Sequence, residues 1–276
     1  MATSSSSTGA RHIFLVHGVC HGGWCWYKVA ARLGSLSPAG RSYHVGALDL
    51  AAAGVDGHRL HEVPTFRDYT APLLDALRSL PDGEKAVLVG HSLGGLSVAL
   101  AAEEFPGKVA AAVFLCAFMP DCMSPPSHVL EELHAGRYWE SQLDNETKPQ
   151  DAAHGKLLPA SFKFGPQFTE LNIYQRCSKE VTSRLRNLSC ESAQRSSRTY
   201  GSSSHTPRIA SRYGSVRKVY IVCKQDRTIP EEFQRWMVSN NPVDEVMEID
   251  GADHMAMLST PDDVVRCIVD IVEKYN

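Results

Sequence analysis

The clearest chemical signal in the chain is Leu88-Val89-Gly90-His91-Ser92-Leu93-Gly94-Gly95, a strand-like run that enters G-x-S-x-G and continues into the helical stretch LSVALAAEEF. A serine at a sharp strand-to-helix turn is held in strained dihedrals, and Gly90 and Gly94 must be small for the neighbouring backbones to pass. The turn presents the Ser92 hydroxyl above the sheet edge. The N–H of Leu93, at the helix start, is then aimed where an oxyanion would form. This is equipment for nucleophilic acyl transfer. A bare G-x-S-x-G also occurs in glycine-rich turns that only pack tightly; here strand and helix both flank it in the required order.

A serine needs a base that titrates near the working pH, which points to histidine, and the chain has 12. In this arrangement the acid follows a late strand and the histidine follows the last one. His254, in Ile249-Asp250-Gly251-Ala252-Asp253-His254-Met255, alone follows the final strand candidate and precedes the last helical stretch. Asp226, just past the strand candidate ending at Cys223, is placed to accept the proton on the far nitrogen of that ring. Asp250 and Asp253 are its rivals. Asp253 adjoins His254, and neighbouring side chains in an extended loop diverge, so it reads as a solvated loop carboxylate.

The second oxyanion donor is expected from the loop after the first strand, Val16-His17-Gly18-Val19-Cys20-His21-Gly22-Gly23-Trp24, with the Val19 N–H as candidate. The spacing of His17 and His21 would suit a metal only on a helix, and the glycines argue for a loop. With no third ligand beside them no metal is expected, and acyl transfer through a serine needs no organic cofactor.

These residues must be positioned by a sheet. Strand candidates at 12–17, 43–49, 85–90, 109–116, 217–223 and 244–249 alternate with helical patterns near 24–34, 66–80, 93–105, 230–240 and 261–275. Several strands are apolar on both faces, as in a mostly parallel sheet flanked by helices, so the fold class is α/β. From 119 to 206 the alternation stops, no strand candidate appears, and Pro, Ser, Arg and aromatics accumulate. That stretch is read as an inserted lid roofing the carboxyl ends of the strands, with 12–118 and 207–276 as the core.

Composition narrows the partners. Lys plus Arg number 28 against 31 Asp plus Glu, a formal charge of -3, which offers no field to hold nucleic acid or an anionic membrane. No apolar run approaches the roughly 20 residues that cross a bilayer, and MATSSSSTGAR lacks a secretory hydrophobic stretch. Residues 1–11 read as a disordered tail, and a cytoplasmic protein is expected. The eight cysteines show no paired spacing and are read as reduced thiols. The sequons at Asn145 and Asn187 are then chance matches.

Taken together, HGVCHGGWCWYK, GHSLGGLSVALA, FMPD, YIVCKQDRTIPEEFQRW and GADHMAM closely resemble the plant methylesterase family of α/β-hydrolases, which includes the salicylic acid-binding esterases. The resemblance spans the core on both sides of the lid and selects Ser92, Asp226 and His254. It implies hydrolysis of hormone methyl esters such as methyl salicylate, methyl jasmonate and methyl indole-3-acetate. A small-molecule ester is then the partner, and a homodimer is a common form. Hydroxynitrile lyases of the same family share the triad, but they carry Thr where this chain has Gly18, and Lys where Met255 follows His254. An apolar thioether cannot stabilise departing cyanide. A receptor-like protein with little turnover is the reading from another class.

The resemblance places Phe118, Trp139 and Phe162 in the apolar pocket, with Gly18, His91 and Met255 beside the reacting centre. Each aromatic could equally serve ordinary lid packing. One departure stands out. After Cys177-Ser178 the family runs to a Leu-Val-Arg-Pro stretch, whereas this chain reads KEVTSRLRNLSCESAQRSSRTYGSSSHT, which predicts a looser lid over about 178–206.

Overall fold

The computed structural model describes residues 11–36, 42–135, 143–148, 151–153, 156–158, 161–185, 192–193 and 212–275. Strands β1 (Arg11–Val16), β2 (Tyr43–Leu48), β3 (Ala86–Ser92) and β4 (Val109–Ala117) alternate with helices α1 (Tyr27–Ser35), α2 (Phe66–Ser79) and α3 (Gly94–Glu104). Two further strands, Lys218–Cys223 and Glu245–Ile249, complete the sheet, separated by the helix Glu231–Asn240 and followed by the helix Pro261–Tyr275. All six strands pair in parallel. Across the sheet they run Glu245–Ile249, Lys218–Cys223, β4, β3, β1, β2.

Alternation along the strands explains the layers. Ile13, Leu15, Val87, Val89, Val113, Val219 and Ile221 pack on the face covered by α1 and Pro261–Tyr275. Their neighbours Val16, Leu88, Phe114, Tyr220 and Val222 join the core under α2, α3 and Glu231–Asn240. Successive side chains point to opposite faces, so a sheet buried on both sides needs apolar residues at every position. Each fully buried Leu, Ile or Val contributes about 1.5–3 kcal/mol. The helices match their faces. Pro261–Tyr275 buries Val264, Ile268, Ile271 and Val272 along one stripe. Thr65 and Asp68 close a reciprocal capping box at the start of α2. Among the described residues no helix is long and apolar enough to cross a membrane.

The chain fills the sheet outward in one direction from β1 to β2, then reverses to add β3, β4 and the last two strands on the other side. The switch point therefore lies between β1 and β3, where parallel sheets open a crevice at their carboxyl ends. The loop carrying Val19 and the turn carrying Ser92 flank it.

Between β4 and Lys218 the chain leaves this sheet. Contrary to the expectation of no strands there, the segment holds short ones: Glu146–Lys148, Ser161–Lys163 and Ser192–Ala193 form an antiparallel trio, and Asp151–Ala153 pairs with Lys156–Leu158. Runs of two or three residues are too short to display an alternation. Helices His128–Ala135 and Lys179–Leu185, a helical turn at Pro166–Phe168 and a π-helical turn at Thr169–Ile173 complete its described part. Most of the divergent stretch 178–206 lies outside the described residues.

Candidate active site

Ser92 ends β3 with a φ of 53°, a left-handed conformation that costs a non-glycine residue roughly 1–2 kcal/mol. The surrounding backbone holds it there. The Phe118 N–H donates to the Ser92 carbonyl at 3.0 Å. A Cβ on Gly94 would lie 2.5 Å from the His17 carbonyl, and one on Gly90 would lie 2.8 Å from the Gly94 carbonyl. These approaches are closed to any larger residue, so the turn cannot relax. Leu93 opens α3, where the first N–H groups have no partner within the helix.

The histidine comes from the loop after Glu245–Ile249 and the acid from the loop after Lys218–Cys223. His254 Nδ1–H donates to Asp226 Oδ2 at 2.7 Å, and the Ser92 hydroxyl lies 3.2 Å from His254 Nε2. All three residues are buried. Asp226 Oδ1 accepts the N–H groups of Thr228 at 2.7 Å and Ile229 at 2.9 Å, so one oxygen anchors the carboxylate and the other meets the ring. A carboxylate held at two amides cannot swing away from the imidazole.

The His254 backbone is pinned as well. Its carbonyl accepts His91 Nε2–H at 2.7 Å and the Cys116 thiol at 3.4 Å. Burial drives the His91 pKa well below the ordinary value, so the ring is neutral. Its Nδ1 has no hydrogen-bond partner among the described residues. His91, Cys116 and His254 bring metal-type donor atoms within 4.8 Å of one another. The donor set does not suit an ion: both His254 nitrogens are engaged, and burial raises the Cys116 thiol well above its usual range. A thiolate would be needed to bind one.

The loop after β1 is organised by two neutral histidines. The Leu50 N–H donates to His17 Nε2 at 3.1 Å, so the His17 proton must sit on Nδ1, which donates to the Gly18 carbonyl at 2.8 Å. Burial lowers the His17 pKa, in keeping with that neutral form. Across a trans peptide the C=O and N–H point in opposite directions, so fixing the Gly18 carbonyl also fixes the direction of the Val19 N–H. His21 Nδ1–H does the same to the next peptide, donating to the Val19 carbonyl at 2.8 Å. Between them Cys20 sits at a φ of 60°. Gly18 abuts the serine: a Cβ there would lie 2.7 Å from Ser92 Cβ. With every His17 and His21 nitrogen engaged in hydrogen bonds, neither ring is available as a metal ligand.

Other expectations fare unevenly. Asp253 is not a solvated loop carboxylate. It is fully buried, accepting the Arg176 N–H at 2.8 Å and the Met255 N–H at 3.1 Å, with the Ser259 hydroxyl at 2.7 Å. Burial pushes its pKa up. Divergence of neighbouring side chains requires only that Asp253 point away from His254. Here it points into protein. Phe118 is buried in the core under α3, and Met255 is fully buried beside His254. Trp139 and the Phe162 side chain lie outside the described residues, as does Cys190. The seven described cysteines are free thiols. His21 and Asp253 also bond Tyr174 and Arg176, far away in sequence, and no local pattern signals these contacts.

This geometry agrees with the similarities of the chain to known proteins. Residues 13–266 match the model of the alpha/beta hydrolase family. Salicylic acid-binding protein 2 of Nicotiana tabacum is 44% identical over 270 residues, covering 96% of this chain and 98% of that protein. Methyl jasmonate esterase 1 of Vitis vinifera is 42% identical, at 96% and 98% coverage. The crystal structure of polyneuridine aldehyde esterase superposes with a TM-score of 0.82 at 37% identity, covering 95% of this chain and 99% of that one. With this degree of identity running almost end to end, the chain belongs to the plant methylesterase family and is an ester-hydrolysing enzyme of the α/β-hydrolase fold.

Proposed function

We propose that the protein hydrolyses small methyl esters of plant-hormone type, with methyl salicylate, methyl jasmonate and methyl indole-3-acetate as the leading candidates, and that Ser92, His254 and Asp226 carry the reaction. The observation that bears most weight is the continuous chain from Asp226 Oδ2 through both nitrogens of His254 to Ser92 Oγ. His254 Nε2 takes the serine proton as Oγ attacks the ester carbonyl, while Asp226 holds the ring in the required tautomer and offsets the imidazolium charge. The amides of Val19 and Leu93 receive the oxyanion, each worth on the order of 3 kcal/mol in the transition state. His254 then gives its proton to the departing methoxide, methanol leaves, and water repeats the sequence on the acyl-enzyme.

Cyanohydrin cleavage on the same three residues is disfavoured. Gly18 leaves no room for the Thr of the lyases without moving Ser92, and the fully buried Met255 supplies no cation for cyanide. The experiment is a panel of the three methyl esters, a neutral aryl acetate and mandelonitrile, each run with Ser92→Ala as control. Ester turnover that falls by about 10⁴-fold or more in Ser92→Ala is expected. Mandelonitrile cleaved faster than every ester, or salicylate bound tightly with hydrolysis unchanged by the substitution, would reject this reading.

A further inference from the structure

The stretch Leu171–Cys177, at the end of the described part of the inserted segment before Lys179–Leu185, reaches all three loops of the site. The Arg176 N–H bonds Asp253 in the histidine loop. Gln175 Nε2–H donates to the Gln225 carbonyl, and Thr228 Oγ1–H donates to the Asn172 carbonyl at 3.1 Å, both tying it to the acid loop. The third contact is of a different kind, because it goes through a titratable side chain to the loop that holds the oxyanion donor. The Tyr174 hydroxyl lies 2.7 Å from His21 Nε2, and both residues are 2% exposed.

The direction of this contact follows from bookkeeping. The Val19 carbonyl can only accept, so His21 Nδ1 carries a proton. Burial lowers the His21 pKa to about 4, so at neutral pH the ring holds no second proton and Nε2 is a lone pair. Tyr174 O–H must donate to Nε2, and Nδ1–H must donate to Val19. Trp24, Tyr174 and Phe164 lie around the ring, with centroids at 5.4, 5.9 and 6.4 Å. Tyr174 itself is set by a π-turn, its N–H donating to the Thr169 carbonyl at 2.9 Å, a feature frequent at functional sites.

We propose that Tyr174 is a positioning residue for ester hydrolysis: acting through neutral His21, it holds the Val19–Cys20 peptide so that, with His17 fixing the peptide before it, the Val19 N–H stays aimed at the oxyanion. The inserted segment thereby completes the oxyanion hole without touching the reacting atoms. This rests on the esterase reading, and the test separates the two. A ketone that adds Ser92 to form an oxyanion, 2,2,2-trifluoroacetophenone, is compared with benzoate, which forms none.

In Tyr174→Phe the affinity for the ketone and kcat should each fall about tenfold, a fraction of the 10²–10³ seen when an oxyanion donor is removed outright, while benzoate affinity and KM stay within twofold. In a His21→Ala background the second substitution should add less than a twofold loss, as coupled residues do. Ketone binding unchanged in Tyr174→Phe, equal loss of ketone and benzoate, or losses that multiply in the double variant would each overturn the proposal. Should Tyr174→Phe unfold, His21→Asn, whose amide nitrogen stands where Nδ1 does and retains a donor for Val19, must keep more ketone affinity than His21→Ala, and equal affinity overturns it as well. Failure of the esterase reading is recognised apart from this, as absence of ketone adduct and ester turnover in the unsubstituted protein.

Discussion

The loops after the last two strands of the sheet each bury an aspartate, and the two acids do opposite things. Asp226 gives one oxygen to the amides of Thr228 and Ile229 and keeps the other for His254. Asp253, one residue from the same histidine, gives both oxygens to structure: Oδ2 to the Arg176 amide, Oδ1 to Met255 and Ser259. Burial alone therefore does not mark a catalytic carboxylate. What distinguishes them is whether an oxygen is left to face an ionisable partner, one that changes charge during the reaction under the mechanism we propose. Asp226 can follow the charge on His254, whereas Asp253 fixes where the loop and the inserted segment sit.

Asp226→Asn should have the largest effect. An amide can retain the packing but favours the wrong tautomer of His254, so kcat for a methyl ester should fall on the order of 10⁴-fold with the fold intact. A loss below tenfold, measured beside an unchanged melting temperature, would mean that Asp226 is not the orienting acid. Asp253→Asn should be the reverse. One of the amides at Arg176 and Met255 would face an NH₂ group, so unfolding free energy should drop by about 1–3 kcal/mol, read by urea titration, while kcat changes about tenfold or less. Equal kinetic losses in the two variants would erase the distinction between them.

The buried histidines sharpen the same contrast through pH. A folded pKa of about 4 for His21 lies below its unfolded value near 6.5. The unfolded chain then binds the proton first as the solution is acidified. Stability from this site is complete above about pH 6.5 and is lost as pH falls toward 4, about 3 kcal/mol over the window. His21→Gln should flatten that part of the stability profile, and an unchanged slope would mean that the ring is not buried neutral. Asp253 works in the other sense and gives the smallest effect. Its raised folded pKa favours the protonated form, so its contribution is fully present below about pH 4 and fades as pH rises through the folded value. Comparing Asp253→Asn with the parent by the urea midpoint across that rise should show the difference between them changing with pH; a constant difference would contradict a raised pKa.

Much of the site was legible because its chemistry is tied to local backbone events. Ser92 needs a strand-to-helix turn with glycines on either side, and both elements carry their own periodicity. Asp226 and His254 lie just past strands whose apolar runs are unmistakable. The six core strands were readable for the same reason: a sheet covered on both faces demands apolar residues at every position. The short strands between Glu146 and Ala193 were not, since a pairing two or three residues long leaves no repeating pattern. Asp253 was misread because whether a polar loop residue is wet depends on what lands on it.

The order of elements, the reactive turn, and the residues able to supply a nucleophile, a base and an acid follow from the amino-acid sequence, because each is set by dihedral preference and hydrophobic period over a few neighbours. The tertiary structure alone decided what Asp253 bonds, that His17 and His21 are neutral donors to consecutive carbonyls, and that the Tyr174 hydroxyl meets the His21 ring. The physical reason is common to all three. A hydrogen bond between groups 77 or 153 positions apart along the chain, and the loss of water that fixes a buried ring's protonation, exist only once distant segments have packed together.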